Sequence, residues 1–224
     1  MGRHNGPVVE NEPAPTSELT GPQHLVPTPR GPARFDLVVP RRAPTGLLVL
    51  GHGAGGDVTA VDLSAVRVAA VQAGLAVARV TQPYRVAGRR APAPASHLDE
   101  AWCAVVAAVA AEFDPRPPLI VGGRSSGARV ACRTAATVAA AGVVALAFPL
   151  HPPGRPERSR AGELDTGRPT LVVNGDRDPF GVPPPGPDRD VEVRPGERHE
   201  LKADPAGTAE AVVRWLTRHG WAGR

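Results

Sequence analysis

Cysteine is scarce in this 224-residue chain, and its scarcity excludes two classes of site. The two cysteines, Cys103 and Cys132, lie in different apolar segments, and neither belongs to a Cys-x-x-Cys pair. A zinc ribbon and a dithiol redox motif therefore have no support in the sequence. Both side chains are expected to serve as small core residues. A disulfide between them is allowed but not indicated, so a reducing cytoplasm is the simpler expectation.

Long hydrophobic runs are also missing. The longest apolar stretches, Ala101–Ala111 and Val138–Leu150, are too short to span a bilayer. Residues 1–33 are rich in proline and glycine and lack the apolar stretch of a signal peptide. We therefore expect no membrane association and a cytoplasmic location.

Lysine is nearly absent, since Lys202 is the only one, and the positive charge comes from arginine. The formal net charge of +4 suggests nucleic-acid binding as one interpretation. Aspartate and glutamate are interspersed with the arginines, however, and no long basic block occurs. Mixed charge of this kind is typical of a solvated surface. We therefore expect no nucleic-acid partner.

Aromatic residues make up only 4% of the chain, so a core must be built mainly from valine, leucine and alanine. The Pro-rich residues 1–22 are expected to form a disordered leader, and residues 23–224 a single domain. In that domain, apolar runs typical of strands alternate with helical segments. The expected strands are Phe35–Val39 (at an edge), Gly46–Leu50, Leu75–Thr81, Leu119–Gly122, Val143–Phe148, Thr170–Asn174 and Asp190–Val193. This alternation predicts an α/β fold with a mostly parallel sheet and helices on both faces.

Capping patterns indicate where three of the helices begin. They occur at Thr59 with Asp62, at Ser96 with Asp99, and at Asp204 before Pro205. A further helix, rich in small residues, is expected over Gly127–Ala141.

The loops at the carboxyl ends of the strands carry the candidate site, because ligands of a parallel sheet bind there. After the strand Leu119–Gly122 comes Gly-Arg-Ser-Ser-Gly, which contains Gly-x-Ser-x-Gly centred on Ser125. This motif marks a sharp strand-to-helix turn that exposes the serine hydroxyl near a helix N-terminus, where developing negative charge is favoured. The same spacing fails for Ser126. An ordinary glycine-rich turn is the alternative.

A second glycine-rich loop, Gly51–Gly56, follows the strand Gly46–Leu50. It can present backbone N–H groups to an anion, and we expect the Ala54 and Ser126 N–H groups to form an oxyanion hole. A phosphate-binding loop is the rival interpretation, but neither of the usual glycine patterns for phosphate is satisfied. His52 is expected to orient the loop, and its use as a catalytic base is a lesser alternative.

Two further loops at this edge carry an acid and a base. Asp176 and Asp178 lie in one loop, and His199 lies in the other. Serine, then acid, then histidine is the chain order that a hydrolase sheet with a Gly-x-Ser-x-Gly turn requires. Asp178 is preferred as the acid, because it lies deeper in its loop before a proline that restricts its geometry. Asp176 is expected to hydrogen-bond its own turn.

Together these motifs resemble the α/β-hydrolase superfamily, and within it the small cap-less proteins similar to dienelactone hydrolase. The resemblance is strongest to the group of testis-expressed protein 30 and the hydrolase-like domain of NSL complex subunit 3. It covers about residues 24–219. The segments that carry it occur in order and are HGAGG (52–56), QPYRVAGRR (82–90), GGRSSGARVA (122–131), FPLHPPGRPE (148–157), NGDRDPFG (174–181) and the His199 loop.

The resemblance implies an α/β-hydrolase fold without a large cap domain, and it assigns a role to each site residue. Ser125 is the implied nucleophile, Asp178 the acid and His199 the base, with Ala54 and Ser126 as oxyanion donors. The implied substrate is a small acyl compound, and neither a metal nor an organic cofactor is implied.

Two features of the resemblance leave alternatives open. Dienelactone hydrolases proper use a cysteine nucleophile where this chain has serine, so a dienelactone substrate is not implied. The group also includes scaffold-like members, so a non-catalytic interaction module is the alternative function.

Three more side chains, Arg85, Arg124 and His151, are expected to line an open, shallow site and to favour an acidic or polar acyl group.

Overall fold

The computed structural model describes residues 22–223, which are built around one eight-stranded sheet. Its strands are β1 (Gln23–Val26), β2 (Ala33–Val38), β3 (Gly46–Gly51), β4 (Leu75–Thr81), β5 (Leu119–Arg124), β6 (Gly142–Leu146), β7 (Thr170–Gly175) and β8 (Arg189–Arg194). The helices are α1 (Val61–Gln72), α2 (Pro83–Val86), α3 (Ala95–Ala110), α4 (Ser126–Thr134) and α5 (Pro205–Arg218), with a short 3₁₀ helix at Ala161–Leu164. The predicted leader, residues 1–22, lies outside the described residues except for Pro22.

The strand order β1-β2-β4-β3-β5-β6-β7-β8 confirms the predicted, mostly parallel sheet. Only β2 breaks the parallel pattern, since it pairs antiparallel with both β1 and β4. The prediction that Phe35–Val39 is an edge strand is wrong, because β1 covers the outer side of β2. Only Val26 of β1 is buried, so this strand carries too little apolar pattern to be predicted.

All six residues of β3 are buried, because helices cover both faces of the sheet. Side chains alternate between the faces along a strand. On one face Leu48 and Leu50 pack with α1 and α5, and on the other Leu47 and Val49 pack with α3 and α4. The predicted helices on both faces are thereby confirmed.

Two of the three capping predictions are wrong. Both α1 and α3 begin without a side-chain cap. Asp62 contacts Arg124 instead, and Asp99 binds Arg133. Each carboxylate lies near an arginine that is distant in sequence. A pattern that spans only four residues cannot predict such a contact. Asp204 is confirmed as a cap, since its Oδ1 accepts a 2.9 Å hydrogen bond from the backbone N–H three residues on.

The helix predicted over Gly127–Ala141 ends early, at Thr134. Beyond it, Ala139 has a φ of +53°, and the Ala140 N–H donates back to the Ala135 carbonyl at 2.9 Å. This closing turn directs the chain into β6. An alanine run contains no stop signal, so the end of the helix could not be placed from sequence.

The segments that cross the carboxyl edge of the sheet are short. Between β6 and β7 the chain forms only the 3₁₀ helix, and between β4 and α3 it forms only α2. Among residues 22–223 these connections therefore contain no cap domain. Within the same residues, no helix has the length and apolar character needed to cross a membrane.

A buried ion cluster joins β2 to the parallel part of the sheet. Arg79 of β4 donates to both carboxylate oxygens of Asp36 of β2, at 3.1 and 2.8 Å. Arg67 of α1 lies 3.6 Å from the same carboxylate, and all three residues are buried. One carboxylate is therefore shared by two buried guanidinium groups and neutralises the charge of one of them.

We expect Asp36→Asn to lower the free energy of unfolding by about 3–5 kcal/mol, because two buried guanidinium groups would lose their shared counter-charge. Urea unfolding measures this loss. The matched control is Glu100→Gln, which breaks an exposed pair with Arg30 and should change stability little. Equal losses in the two variants would contradict the role of burial.

Candidate active site

Four loops meet at the carboxyl edge of the parallel strands. They follow β3, β5, β7 and β8, and they carry Ala54, Ser125, Asp178 and His199 respectively. The structure brings the last three side chains into one hydrogen-bonded chain. The predicted chain order thus corresponds to real proximity.

The serine loop is a sharp corner between β5 and α4. Ser125 has φ +53° and ψ −109°, a left-handed backbone that residues other than glycine rarely adopt. Strain of this kind costs on the order of 1–3 kcal/mol and persists only where the surroundings enforce it. Here the Ser125 N–H is held by the Leu146 carbonyl at 2.9 Å.

The two motif glycines are required by close backbone contact with β3. A Cβ atom at Gly127 would overlap the Gly51 carbonyl group, and one at Gly123 would lie 2.5 Å from the Gly51 oxygen. Real Cβ contacts are not this short. The motif therefore encodes a packing requirement between neighbouring elements as well as a turn.

His199 bridges the serine and the acid. Its Nε2 lies 2.9 Å from Ser125 Oγ, and its Nδ1 lies 2.8 Å from Asp178 Oδ2. The Asp178 side chain is fully buried, while the His199 side chain keeps 14% of its surface exposed. The imidazole can therefore exchange a proton with the serine hydroxyl while the buried carboxylate orients it.

Asp178 is held by its own loop. Its Oδ1 accepts the Phe180 N–H at 2.8 Å, and the Phe180 ring packs on the His199 ring with centroids 4.2 Å apart. Asp176 lies elsewhere, because its Oδ1 accepts the N–H of Gly196 at 2.8 Å. The expectation that Asp176 bonds its own turn is wrong, since it ties the β7 loop to the β8 loop.

The loop after β3 is fixed by His52, in agreement with its expected orienting role. His52 Nδ1 lies 2.8 Å from the Gly53 carbonyl, so it donates, and Nε2 accepts the Gln82 N–H at 3.1 Å. Burial lowers the pKa of His52, which favours this neutral form. With both ring nitrogens occupied in the protein, His52 is not positioned as a catalytic base.

The two expected oxyanion donors have no acceptor of their own. Among residues 22–223, neither the Ala54 nor the Ser126 backbone N–H donates a hydrogen bond to another group. Ser126 is the first residue of α4, where the helix dipole favours negative charge. Neither N–H group is thus committed to a protein acceptor, as the expected role in an oxyanion hole requires.

A family model described as an alpha/beta hydrolase domain matches residues 44–185, more than half of the chain. The chain belongs to the alpha/beta hydrolase family. The match includes Ser125 and Asp178 and ends before His199. No curated protein matches the sequence.

Several solved structures share the fold of this alpha/beta hydrolase. XC6422 from Xanthomonas campestris, described as a serine hydrolase without a lid, has a TM-score of 0.73 at 19% identity, covering 94% of this chain and 99% of that one. A serine hydrolase homologue from Coxiella burnetii gives 0.72 at 19% identity, covering 89% and 99%. Est1E from Butyrivibrio proteoclasticus gives 0.71 at 16% identity, covering 88% and 98%. The predicted α/β-hydrolase fold is confirmed.

Two residues that the motif analysis did not single out support the site. The Tyr84 hydroxyl of α2 donates to the Ala54 carbonyl at 2.7 Å, which holds the loop after β3. The Asn174 amide binds the Phe148 backbone at both its N–H and its carbonyl, which joins the ends of β6 and β7. The only sequence signal for either was its place in a segment that carried the family resemblance.

The three side chains expected to line the site have different surroundings. Arg85 lies on α2 and donates to the Arg89 carbonyl at 3.4 Å, and His151 lies on the loop after β6, 2.9 Å from the Pro152 carbonyl. Contact of these two with a substrate stays a prediction. Arg124 is different, because protein groups hold its guanidinium.

Arg124 joins the serine corner to two other elements. Its Nε lies 2.9 Å from Asp62 Oδ2, a contact that is an ion pair rather than an aligned hydrogen bond. Its Nη2 donates to the His199 carbonyl at 2.8 Å. Burial raises the pKa of the Asp62 carboxyl, and the Arg124 charge opposes that rise. The guanidinium thus compensates a fully buried acid, an arrangement that does not require a substrate.

Other features of the described residues lie apart from this chemistry. Residues 22–223 contain no group of three His, Cys, Asp or Glu side chains placed to hold a metal ion. A broad apolar groove of about 980 Å³ runs between α1 and α5 and includes none of the expected site residues. Both cysteines are free, and burial raises the pKa of Cys132 to about 12, so this thiol is unreactive.

We expect Gly127→Ala to lower the free energy of unfolding by about 1–3 kcal/mol, and with it the melting temperature, because the new methyl group forces the serine corner away from β3. Differential scanning calorimetry measures the change in melting temperature. Gly162→Ala is the matched control, since its Cβ would meet no atom within 4 Å. A Gly127→Ala protein as stable as the control would contradict the packing requirement.

Proposed function

We propose that this alpha/beta hydrolase is a serine hydrolase that cleaves an ester, thioester or related acyl bond through Ser125. The hydrogen-bonded chain Asp178–His199–Ser125 carries the proposal. His199 Nδ1 lies 2.8 Å from Asp178 Oδ2, and His199 Nε2 lies 2.9 Å from Ser125 Oγ. The second requirement is a site for an oxyanion. The proposed donors are the N–H groups of Ala54, on the loop after β3, and of Ser126, at the start of α4, neither of which has a protein acceptor among residues 22–223.

In the first half of the reaction, His199 Nε2 accepts the Ser125 Oγ proton while Oγ forms a bond to the substrate carbonyl carbon. The carbonyl oxygen becomes an oxyanion and accepts hydrogen bonds from the Ala54 and Ser126 N–H groups. The bond to the leaving alcohol or thiol then breaks, and His199 donates its proton to that group. An acyl-enzyme remains on Ser125.

In the second half, water attacks the acyl carbon while His199 Nε2 accepts a proton from it. The bond to Ser125 Oγ breaks, the serine regains its proton from His199, and the carboxylic acid leaves. Asp178 stays ionised throughout and stabilises the imidazolium. Every proton is returned, so the protein's own residues suffice for the chemistry.

The proposed substrate is a small acyl compound. Proteins described as esterases share the fold, among them one from Pyrobaculum calidifontis and the esterase domain of a Rhodothermus marinus protein. Their sequence identities of 16% and 14% show a common fold and no more. Within the family, we propose a relationship to the group of testis-expressed protein 30 and NSL complex subunit 3, on the sequence segments that resemble it. The rival function, a non-catalytic interaction module, predicts that Ser125 does not react.

We expect no nucleic-acid partner, because acidic side chains occupy many arginines at the surface. Six such ion pairs are Arg30–Glu100, Arg129–Glu163, Arg133–Asp99, Arg194–Asp204, Arg214–Glu192 and Arg218–Asp190. Paired guanidinium groups present little free charge to phosphate.

We expect a fluorophosphonate probe to label the protein at Ser125 and Ser125→Ala to abolish the labelling, because the hydroxyl is the attacking group. Intact-mass spectrometry detects the adduct. Ser126→Ala is the control and should still label, since it keeps the backbone N–H. An unlabelled wild-type protein would favour the interaction module, and labelling of Ser125→Ala would contradict the assignment of Ser125 as the nucleophile.

We expect Asp178→Asn to lower kcat by about 10³–10⁴-fold, because an amide no longer holds the imidazole in the useful tautomer. Asp176→Asn should cost far less in kcat and act mainly on stability, since Asp176 binds only backbone. Steady-state kinetics on p-nitrophenyl and thioester substrates measure both, with circular dichroism confirming the folds. A severe loss in a folded Asp176→Asn beside a normal Asp178→Asn would reverse the assignment.

A further inference from the structure

The Arg124 side chain contacts two of the loops that form the candidate site. It immediately precedes Ser125, at the end of β5. A Cβ atom at Gly53 would come within 3.3 Å of Arg124 Nη1, so the guanidinium lies against the loop that carries Ala54. Its Nη2 donates to the His199 carbonyl at 2.8 Å. One side chain therefore contacts both the oxyanion loop and the base loop.

The Nε side of this guanidinium is anchored by Asp62. The carboxylate is fully buried in the first turn of α1, and its Oδ1 also accepts the Leu63 N–H at 2.8 Å. Arg124 itself is only 13% exposed. A planar guanidinium between a fixed carboxylate and a carbonyl has little freedom, because its donors point in set directions.

Arg124 is an anchor of the base loop at His199 itself. The loop's backbone contacts with the β7 loop run through Gly196 and Glu197, which bind Asp176 Oδ1 and the Arg177 N–H. Within the loop, the buried Leu201 donates its N–H to the Arg198 carbonyl at 3.2 Å. The His199 carbonyl has no donor among residues 22–223 other than Arg124, so that bond is the one that fixes its peptide group directly.

We propose that the Asp62–Arg124 ion pair is a positioning device that fixes the His199 backbone, and through it the distance from Nε2 to Ser125 Oγ. This inference rests on the proposed function. Arg124 acts here through His199, and it is not a substrate ligand. Misplacing a catalytic group by about 1 Å costs on the order of 10²-fold in rate, so the device should influence kcat rather than KM.

The test is a double-mutant cycle of Arg124→Met, Asp62→Asn and the pair, with kcat and KM measured on p-nitrophenyl acetate and on mono-p-nitrophenyl succinate. We expect kcat to fall on the order of 10²-fold in Arg124→Met and 10-fold in Asp62→Asn, with KM within about twofold. The double variant should match Arg124→Met within about threefold, because both changes break one unit. Arg124→Lys should retain an intermediate kcat, since an ammonium can keep one of the two contacts.

Arg133→Met is the control for losing a half-buried arginine ion pair, since Arg133 binds Asp99 and Glu163 away from the serine corner. It should lower the melting temperature and leave kcat unchanged. If Arg124→Met fails to fold, Asp62→Asn and Arg124→Lys carry the kinetic test. A rise in KM confined to the succinate ester would overturn the proposal in favour of substrate binding. The proposal would also be overturned if the losses of kcat in the two single variants added up in the double variant, or if kcat were unchanged in both single variants.

Histidine NMR separates this inference from the proposed function. The ¹⁵N and ¹H signals of the His199 imidazole, assigned with a His199→Gln protein, should move in Arg124→Met and in Asp62→Asn but not in Arg133→Met. If the wild-type protein has no hydrolase activity and these signals still move, the proposed function is wrong and the positioning role stands. Unmoved signals in an active enzyme would overturn the positioning role alone.

Discussion

The close backbone contact between β3 and the corner of β5 and α4 is the constraint on which the candidate site depends. Gly123 and Gly127 lie so near Gly51 that neither position can hold a side chain. This contact sets the separation between the end of β3 and the corner, and therefore between the loop that carries Ala54 and the start of α4. The same corner gives Ser125 its positive φ, which directs the hydroxyl toward His199.

Buried carboxylates connect the elements around this corner. Asp36 links β2 to β4 and α1, Asp62 links α1 to the serine corner, and Asp178 links the β7 loop to the base loop. Burying a charge is costly unless a partner compensates it, so each carboxylate holds at least two elements at fixed positions. The arginines that make the chain basic are in this way partly internal, which is why net charge is a poor guide to its partners.

The pattern of apolar residues predicted the bounds of the central strands closely and those of the outer strands poorly. β4 has the predicted bounds, and β3 and β7 extend one residue beyond theirs, because strands buried on both faces appear as continuous apolar runs. β1 was missed because a lone buried Val26 leaves no pattern. The end of α4 was missed because its closing turn uses alanines, which favour a helix locally.

The candidate residues of the site and their order along the chain could be predicted from the sequence, since Gly-x-Ser-x-Gly, the aspartate loop and the histidine each follow a recognisable strand. Which groups meet depends on the fold: Asp178 rather than Asp176 lies against His199, and Asp62 pairs with Arg124 as well as with the first turn of its own helix. The difference lies in the sequence separation of the groups that interact. Capping and turn patterns describe groups within about four residues of one another. The contacts that build this site join residues 21 and 74 positions apart, and folding alone brings them within hydrogen-bond distance.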